Sequence, residues 1–279
     1  MAHPLLKELS GVSTPVIGMV HLAPLPGSPR YGRDVRQIEA RMLSDAEALA
    51  GGGVSALCLE NFGDVPFGGG RVSSTVVAHM TALAVRLRDR FGHVPLGINV
   101  LRNDGCSALA VAHAAGAHFV RVNVLCGARL TDQGIVEGIA DRLMRLRAKL
   151  GAHDIRVFAD LNVKHSAPLA DSPLPDDVHD LIHRGLADAL IVTGAATGKA
   201  ADHGELTAVK GAAGDTPVVV GSGVSLETIA TSAGVADGLI VGTALKRDGV
   251  SDNPVDPQRV KALIERLGEP KHHLGRISD

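Results

Sequence analysis

Two stretches near the C-terminus decide the fold: PVVVGSGV at residues 217–224 and GLIVGTAL at residues 238–245. Each begins as a continuous apolar run, which is the pattern of a strand buried on both faces of a parallel sheet. Each run then ends in a turn of small residues: Gly221, Ser222 and Gly223 in the first stretch, and Gly242 and Thr243 in the second. A strand followed by a glycine turn, repeated, predicts a β-then-α unit.

The same unit recurs through the chain, with amphipathic segments between apolar runs. Eight strands alternating with helices predict a parallel sheet, and at 279 residues closure into a single (β/α)₈ TIM barrel over residues 1–279 is the usual solution. An open doubly wound sheet is the alternative, but its Gly-rich fingerprint after the first strand is missing. The predicted strands are Val16–His21, Val54–Glu60, Leu96–Val100, Phe119–Val124, Arg156–Asp160, Ala189–Val192, Pro217–Val220 and Gly238–Val241.

Helical periodicity is clear in four segments. Two are predicted at residues 34–50 and 256–267, and two more have an apolar stripe that repeats every three or four residues. The stripes are Val72, Val76, Met80, Leu83 and Leu87, and then Ile135, Ile139, Leu143, Leu146 and Leu150.

The loops that leave the predicted strands are the candidate site. Three of them are long, at residues 22–33, 61–71 and 161–175. Long loops in a compact domain are usually functional, and barrel enzymes keep their chemistry at this C-terminal face. The loops after strands seven and eight bind phosphate in many barrels, through backbone N–H groups. Two glycine turns in these positions therefore predict a phosphate site, although each can also be a tight turn without a ligand.

Polar residues lie at the ends of the other predicted strands, so they converge on one face. We expect His21, Glu60, Lys164 and His165 to contribute to catalysis together with Asp160, which follows an apolar run where an unpaired carboxylate is costly. Each acid can instead cap a helix or hold a loop, and His21 can simply bond the proline-rich loop. The predicted substrate-binding residues are Asn61, Asn99, Arg121, Asn123, Thr193 and Gly194.

Two of these residues form the predicted acid–base pair. His21 and Asp160 leave strands one and five, which lie opposite each other in an eight-stranded ring, as acid–base chemistry at one carbon requires. Lys164 can neutralise an oxyanion or form a Schiff base, as in an aldolase. Arg121 is either an anion ligand or the partner of a carboxylate. Residues 195–199, AATGK, lack the spacing of a nucleotide phosphate loop.

No cofactor is predicted. A divalent ion held by His21, Glu60, Asp160 and His165 is an alternative, but no HxH or HExxH spacing supports it. The net charge of −2 and an aromatic content of 2% argue against a nucleic-acid surface. No apolar run reaches the length of a membrane span, and three scattered cysteines fit a reducing cytoplasm. A homo-oligomer is the expectation from other barrels.

Several motifs resemble those of the BtpA/SgcQ family. They are MVHLAPLPGSP at 19–29, ENFGDVPF at 60–67, GINVLRND at 97–104, DLNVKH at 160–165, TG at 193–194 and GSGV at 221–224. The resemblance covers almost the whole chain and implies a ribulose-phosphate-binding barrel, which agrees with the predicted phosphate site. The family takes its name from a cyanobacterial photosystem I biogenesis protein, and another branch is associated with carbohydrate use.

Two functions follow as hypotheses. The first is an enzyme acting on a phosphorylated sugar or similar small phosphate ester, of the isomerase/epimerase or aldolase type. The second, implied by the resemblance, is a non-catalytic assembly or stability factor for a membrane complex such as photosystem I.

Overall fold

Eight parallel strands close into a barrel in the computed structural model, which describes residues 3–194 and 203–268. The ring order follows the chain, and the last barrel strand pairs with the first. This confirms the (β/α)₈ barrel. In chain order the strands are β1 (Val16–His21), β2 (Ala56–Glu60), β3 (Leu96–Asn99), β4 (Phe119–Val122), β5 (Ala128–Thr131), β6 (Gly134–Glu137), β7 (Arg156–Asp160), β8 (Ser166–Pro168), β9 (Ala189–Val192), β10 (Val218–Val220) and β11 (Gly238–Val241).

The helices pack around this ring, and several begin at a side chain that accepts a hydrogen bond from the first turn. The carboxylate of Asp34 accepts from the N–H of Gln37, and the Ser73 hydroxyl accepts from the N–H of Val76. The helices are α1 (Pro4–Ser10), α2 (Val35–Gly51), α3 (Ser74–Arg90), α4 (Gly105–Ala115), α5 (Ala140–Lys149), α6 (Leu174–His179), α7 (His203–Ala212), α8 (Ile229–Ala233) and α9 (Pro257–Leu267).

The barrel interior is filled by side chains, not by solvent. Phe119 and Phe158 stack there with ring centroids 4.7 Å apart. Gly97 on β3 makes room for them, since a Cβ at that position would lie 2.1 Å from Cε2 of Phe119. Leu6 of α1 is fully buried in the same cluster and closes the N-terminal end. A ligand therefore has access from the C-terminal end.

One predicted helix is wrong at its start. Ile135 lies in β6, which pairs antiparallel with β5, and α5 begins only at Ala140. The reason is a tight turn before β6, where Gly134 adopts φ +90 and the Thr131 hydroxyl donates to its carbonyl. This turn interrupts the helical period. The strands β6, β5 and β8 form a small sheet beside the barrel mouth.

The other differences lie at element ends. Val72 precedes α3, because Ser73 caps that helix. Val54, Val100 and Pro217 lie just outside their strands, as do residues 123–124. The prediction of one domain over residues 1–279 stays a prediction, and residues 195–199 lie outside the described residues.

A buried ion pair joins α2 to the segment after β11. Nζ of Lys246, just after β11, lies 2.8 Å from Oδ2 of Asp45 on α2, and both side chains are 1% exposed. The other carboxylate oxygen of Asp45 accepts from the backbone N–H of Val255 and from Nε of Arg41. The pair holds the segment after β11 against α2.

Candidate active site at the barrel mouth

A cavity of about 360 Å³ opens at the C-terminal ends of the barrel strands. It brings together residues from the loops after most of the strands, as predicted for this face. The lining residues include His21, Glu60, Phe62, Arg102, Arg121, Asn123, Lys164, His165, Gly221, Ser222, Gly223, Gly242 and Thr243.

His21 and Glu60 come from neighbouring strands and face each other. Their register in the β1–β2 pair is direct, and His21 Nε2 lies 3.7 Å from Glu60 Oε1. The His21 ring stacks on Phe62 at a centroid distance of 4.3 Å. Nδ1 of His21 has no hydrogen-bond partner among the described residues. Burial, followed by the positive charges of Lys246 and Lys164, lowers the pKa of His21 to about 3, so its ring is neutral at pH 7.

Glu60 is held on its other side by the next strand. Asn99 lies opposite Glu60 in the β2–β3 register, and its Nδ2 donates to Glu60 Oε2 at 2.6 Å. Asn99 therefore orients Glu60 and does not itself line the cavity. The oxygen that faces His21, Oε1, is the one left for a ligand.

Arg121 and Asp160 form a buried two-pronged ion pair. Nη2 of Arg121 donates to Asp160 Oδ1 at 3.0 Å, and Nε donates to Oδ2 at 3.2 Å. Nδ2 of Asn123 also donates to Oδ2. Burial by itself lowers the pKa of Arg121, but the charges of Asp160 and Glu60 outweigh it and raise that pKa. Arg121 was expected to be either an anion ligand or the partner of a carboxylate. In the structure it is the partner of the Asp160 carboxylate.

Asp160 lies opposite His21 in the ring, as predicted, because β1 and β7 are four strands apart. Its side chain is inaccessible, and the residues that line the mouth cavity include Arg121 and Asn123 but not Asp160. In this geometry Glu60 is nearer to a bound ligand than Asp160.

Lys164 enters the cavity from the loop after β7. Its ammonium makes no ion pair with any described residue. Burial, followed by the charge of Arg121, lowers the pKa of Lys164 below its ordinary value. His165 also lines the cavity, in a left-handed conformation at φ 58, and burial lowers its pKa too. A lowered lysine pKa increases the fraction of nucleophilic amine.

Arg102, which the sequence reasoning missed, is a further cavity residue. It is 6% exposed, and its Nη2 donates to the Lys164 carbonyl at 2.7 Å. It lies within the GINVLRND motif, two residues past the predicted end of strand three. Its place in this motif, just after a predicted strand, was the feature of the sequence that could have indicated a site residue.

The loops after β10 and β11 form the opposite side of the cavity. The Ser222 hydroxyl accepts from the N–H of Gly194 at 2.8 Å, and the Thr243 and Ser251 hydroxyl oxygens lie 2.7 Å apart. The backbone N–H groups of Ser222, Gly223, Gly242 and Thr243 have no acceptor among the described residues. They remain available to an anion.

The glycines of these loops differ in what they allow. Gly223 has φ +74, so a side chain there would strain the backbone. A Cβ on Gly221 would lie 2.3 Å from Ile191 Cγ2, which makes this glycine a packing requirement. At Gly242 a Cβ would lie 3.2 Å from Cε1 of His21, inside the cavity.

The remaining predicted substrate-binding residues hold loops instead of lining the cavity. Oδ1 of Asn61 accepts from the N–H of Leu101 at 2.7 Å, and its Nδ2 donates to Asp64. The Thr193 hydroxyl donates to the carbonyl of Asn162, and Gly194 donates to Ser222. Their substrate-binding role stays a prediction.

Metal ligands are not gathered in the described part of the chain, where no group of three or more His, Cys, Asp or Glu side chains is placed to hold an ion. The four residues named for the divalent-ion alternative are therefore not brought together as a set. Within the same ranges, every helix is too short or too polar to cross a bilayer. The cytoplasmic location and the oligomeric state stay predictions.

The fold and the position of this cavity define the class as a (β/α)₈ barrel with a candidate site at its C-terminal mouth. The chain belongs to the BtpA family, whose model matches residues 12–269. It is 46% identical over 255 residues to the photosystem I biogenesis protein BtpA of Synechocystis sp., covering 91% of this chain and 88% of that one. It is also 46% identical to an uncharacterised protein of Thermococcus kodakarensis, covering 91% and 95%.

Solved structures agree on the fold alone. The N-(5'-phosphoribosyl)anthranilate isomerase of Pyrococcus furiosus matches with a TM-score of 0.54 at 12% identity, covering 91% of this chain and 98% of that one. Tryptophan synthase subunit alpha of Legionella pneumophila matches with a TM-score of 0.56 at 16% identity, covering 94% and 96%.

Proposed function

We propose that this chain is an enzyme acting on a phosphorylated sugar or a similar small phosphate ester, with aldolase-type or isomerase/epimerase-type chemistry. The observation that carries the proposal is that one cavity contains both Lys164, a lysine without an ion-pair partner among the described residues, and two loops with free N–H groups. The first provides a nucleophile and the second an anchor for an anion.

The anchor fits phosphate for a physical reason. Several backbone N–H groups that converge on one anion replace the hydrogen bonds that the anion made to water. Because these groups are neutral, no positively charged side chain has to be buried beside the anion. The loops after β10 and β11 are neighbours in the ring, so their N–H groups lie within reach of one phosphate. Several of the similar solved structures carry phosphorylated compounds in their names, which is consistent with this use of the fold.

Of the two reaction types, the geometry favours the aldolase type. The unprotonated amine of Lys164 adds to a substrate carbonyl, and loss of water leaves an iminium ion. Glu60 then takes the proton of the hydroxyl group on the carbon β to the iminium carbon, the bond between the α and β carbons breaks to release an aldehyde, and the electron pair of that bond passes towards the iminium nitrogen. The resulting enamine takes this proton back from Glu60 at carbon, and addition of water releases the second product and frees the amine of Lys164. In an isomerase or epimerase, Glu60 would instead move a proton at carbon without a covalent bond to Lys164.

Reductive trapping tests this choice. Incubation with dihydroxyacetone phosphate and sodium borohydride should leave a covalent adduct on the peptide that contains Lys164, as read by mass spectrometry. Lys164→Met should abolish the adduct, whereas Lys149→Met, a change to an exposed lysine on α5, should not. If neither this probe nor glyceraldehyde 3-phosphate leaves an adduct, aldolase-type chemistry through Lys164 is excluded. Deuterium uptake by the same compounds from heavy water would then support proton transfer.

A second function has one observation in its favour. The Synechocystis relative is named for photosystem I biogenesis, and the small sheet of this chain exposes Leu130 and Ile135, which are half or more accessible and paired across β5 and β6. An assembly factor would use such a surface to hold a protein partner. A thermal-shift screen separates the two functions, because a ligand at 100 times its Kd stabilises a fold by about 2.7 kcal/mol. Silence across phosphate esters, with a stoichiometric partner in a pull-down, would favour the assembly factor.

A further inference from the structure

Arg102 is a buried cation without a carboxylate partner among the described residues. It is 6% exposed, and within the described ranges its one hydrogen bond runs from Nη2 to the carbonyl of Lys164. Arg102 also lines the cavity. A desolvated guanidinium is expensive unless it is paired or used, and its planar fork matches the two oxygens of a carboxylate. The free side of Arg102 therefore points to an anionic ligand.

The place of Arg102 in the ring sets where this anion lies. Arg102 follows β3, and Gly221–Gly223 follow β10, four strands away on the opposite side of the barrel. Opposite strands of an eight-stranded barrel lie about 15 Å apart. A ligand that occupies both the glycine loops and the Arg102 side therefore spans the mouth, with one anionic group at each side.

Formal charge indicates what kind of anion fits the Arg102 side. Arg121 and Asp160 neutralise each other. With Lys164 counted in the protonated form that precedes its reaction as an amine, the remaining charges of the described cavity residues are those of Arg102, Lys164 and Glu60, with a net value of +1. A carboxylate balances this charge, whereas a second phosphate, with a charge of about −2, would exceed it.

We infer that the ligand is a phosphate ester that carries a carboxylate at its other end, and that Arg102 binds this carboxylate. The inference rests on the proposed function, because the phosphate end occupies the loops after β10 and β11. The arginine side chain uses part of the distance across the barrel, so the two ends are joined by a chain of about five or six carbons. The backbone carbonyl of Lys164 accepts from Arg102, so Lys164 belongs to the same side of the mouth as the carboxylate.

A matched pair of probes tests the carboxylate. 6-Phosphogluconate and sorbitol 6-phosphate differ only at the carbon far from the phosphate, which is a carboxylate in the first and a hydroxymethyl group in the second. By calorimetry, the wild-type protein should bind 6-phosphogluconate at least tenfold more tightly, the range expected for a hydrogen-bonded ion pair. Equal affinities would overturn the inference. Tighter binding of sorbitol 1,6-bisphosphate than of 6-phosphogluconate would overturn it too, in favour of a second phosphate.

Variants assign the preference to Arg102. In Arg102→Met the preference should fall to within about twofold, while the affinity for sorbitol 6-phosphate stays unchanged. Arg86→Met, which removes an exposed guanidinium on α3, should keep the full preference. A preference that survives in Arg102→Met would place the carboxylate elsewhere. The wild-type comparison stands even if Arg102→Met does not fold, and Arg102→Gln is then the second variant.

The same probes separate this inference from the proposed function. If sorbitol 6-phosphate and inorganic phosphate both bind but the carboxylate adds nothing, the inference alone fails. If neither compound binds, the proposed phosphate site is wrong. The inference is then wrong too, because it requires that site to hold the phosphate end of the ligand. Gluconate bound in an Arg102-dependent manner without any phosphate binding would contradict the two-ended ligand.

Discussion

The two sides of the barrel mouth present different chemistry. On the side of β10 and β11 the cavity wall consists of glycine, hydroxyl side chains and free backbone N–H groups. On the side of β2, β3, β4 and β7 it contains Glu60, Arg102, Arg121 and Lys164. One side can bind an anion with neutral groups, and the other depends on charges taken out of water.

This difference has an energetic consequence. Removal of one member of the buried Arg121–Asp160 pair leaves the other charge uncompensated, so such a change disturbs folding as well as chemistry. A change in the glycine loops acts through shape, since a methyl group occupies the place of a ligand. Substitutions on the charged side should therefore lower stability, whereas those in the glycine loops should lower ligand affinity.

The largest effect is expected from the Arg121–Asp160 pair. Asp160→Asn leaves the guanidinium of Arg121 buried without a counter-charge, and the free energy of unfolding should fall by about 3–5 kcal/mol in urea titrations. Loss of turnover in this variant therefore supports a catalytic role for Asp160 only if the variant is shown to fold. The exposed pair of Arg145 and Asp141 is the control, and Arg145→Met should change stability by about 0–1 kcal/mol. Similar losses in both variants would contradict the distinction.

Next comes the steric change on the other side. Gly242→Val should weaken the binding of sorbitol 6-phosphate by about a hundredfold or more, equivalent to about 2.7 kcal/mol, because its side chain enters the cavity beside His21. Gly68→Val is the matched control, since open space surrounds that glycine. Gly223→Val is unsuitable, because Gly223 needs its positive φ. Unchanged affinity in Gly242→Val would show that phosphate binds elsewhere.

The third effect is a pH dependence of stability. In the unfolded chain His21 takes up a proton near pH 6.5, but in the folded chain only near pH 3. The unfolded state thus binds more protons between these values, and stability falls as the pH drops from about 6.5 towards 3, by at most about 1.4 kcal/mol per pH unit. His21→Gln removes this contribution, so its stability should fall less steeply over the same range. His93→Gln, at an exposed position, should keep the wild-type slope, and equal slopes in His21→Gln and wild type would refute the assignment.

The smallest effect is expected at Ser222. Ser222→Ala removes the oxygen that accepts the N–H of Gly194, which should lower the free energy of unfolding by about 1 kcal/mol. Phosphate affinity should change by no more than about tenfold, because backbone N–H groups supply most of the contacts. Ser225→Ala is a control in the same loop outside the small-residue turn. A complete loss of binding in Ser222→Ala would show that the hydroxyl, and not the backbone, holds the anion.

The fold and the location of the site could be predicted from the sequence because both depend on local pattern. Continuous apolar runs mark buried parallel strands, and residues at strand ends share one face of a barrel. His21, Glu60 and Lys164 were found in this way. The register of neighbouring strands then places Glu60 between His21 and Asn99.

What could not be predicted depends on contacts between distant segments. Arg102 enters the cavity because the loop after β3 folds back towards Lys164, which is 62 residues further along the chain. The hairpin of β5 and β6 lies where the apolar spacing predicted the start of a helix. A turn at residues 132–134 places Ile135 in a strand, although the helical spacing of apolar residues includes Ile135. The sequence also did not show whether Arg121 would contact a ligand or Asp160. The direction in which a side chain leaves its strand does not determine which group it contacts.

The buried pair of Asp45 and Lys246 also sets an order of events during synthesis. The two residues are 201 positions apart, so at about 5–20 residues per second Asp45 is added to the chain roughly 10–40 s before its counter-charge. During that interval α2 can form, but the site between it and the segment after β11 stays open to water. The loop with the free N–H groups of Gly242 and Thr243 is thus fixed in place only when nearly the whole chain has been made.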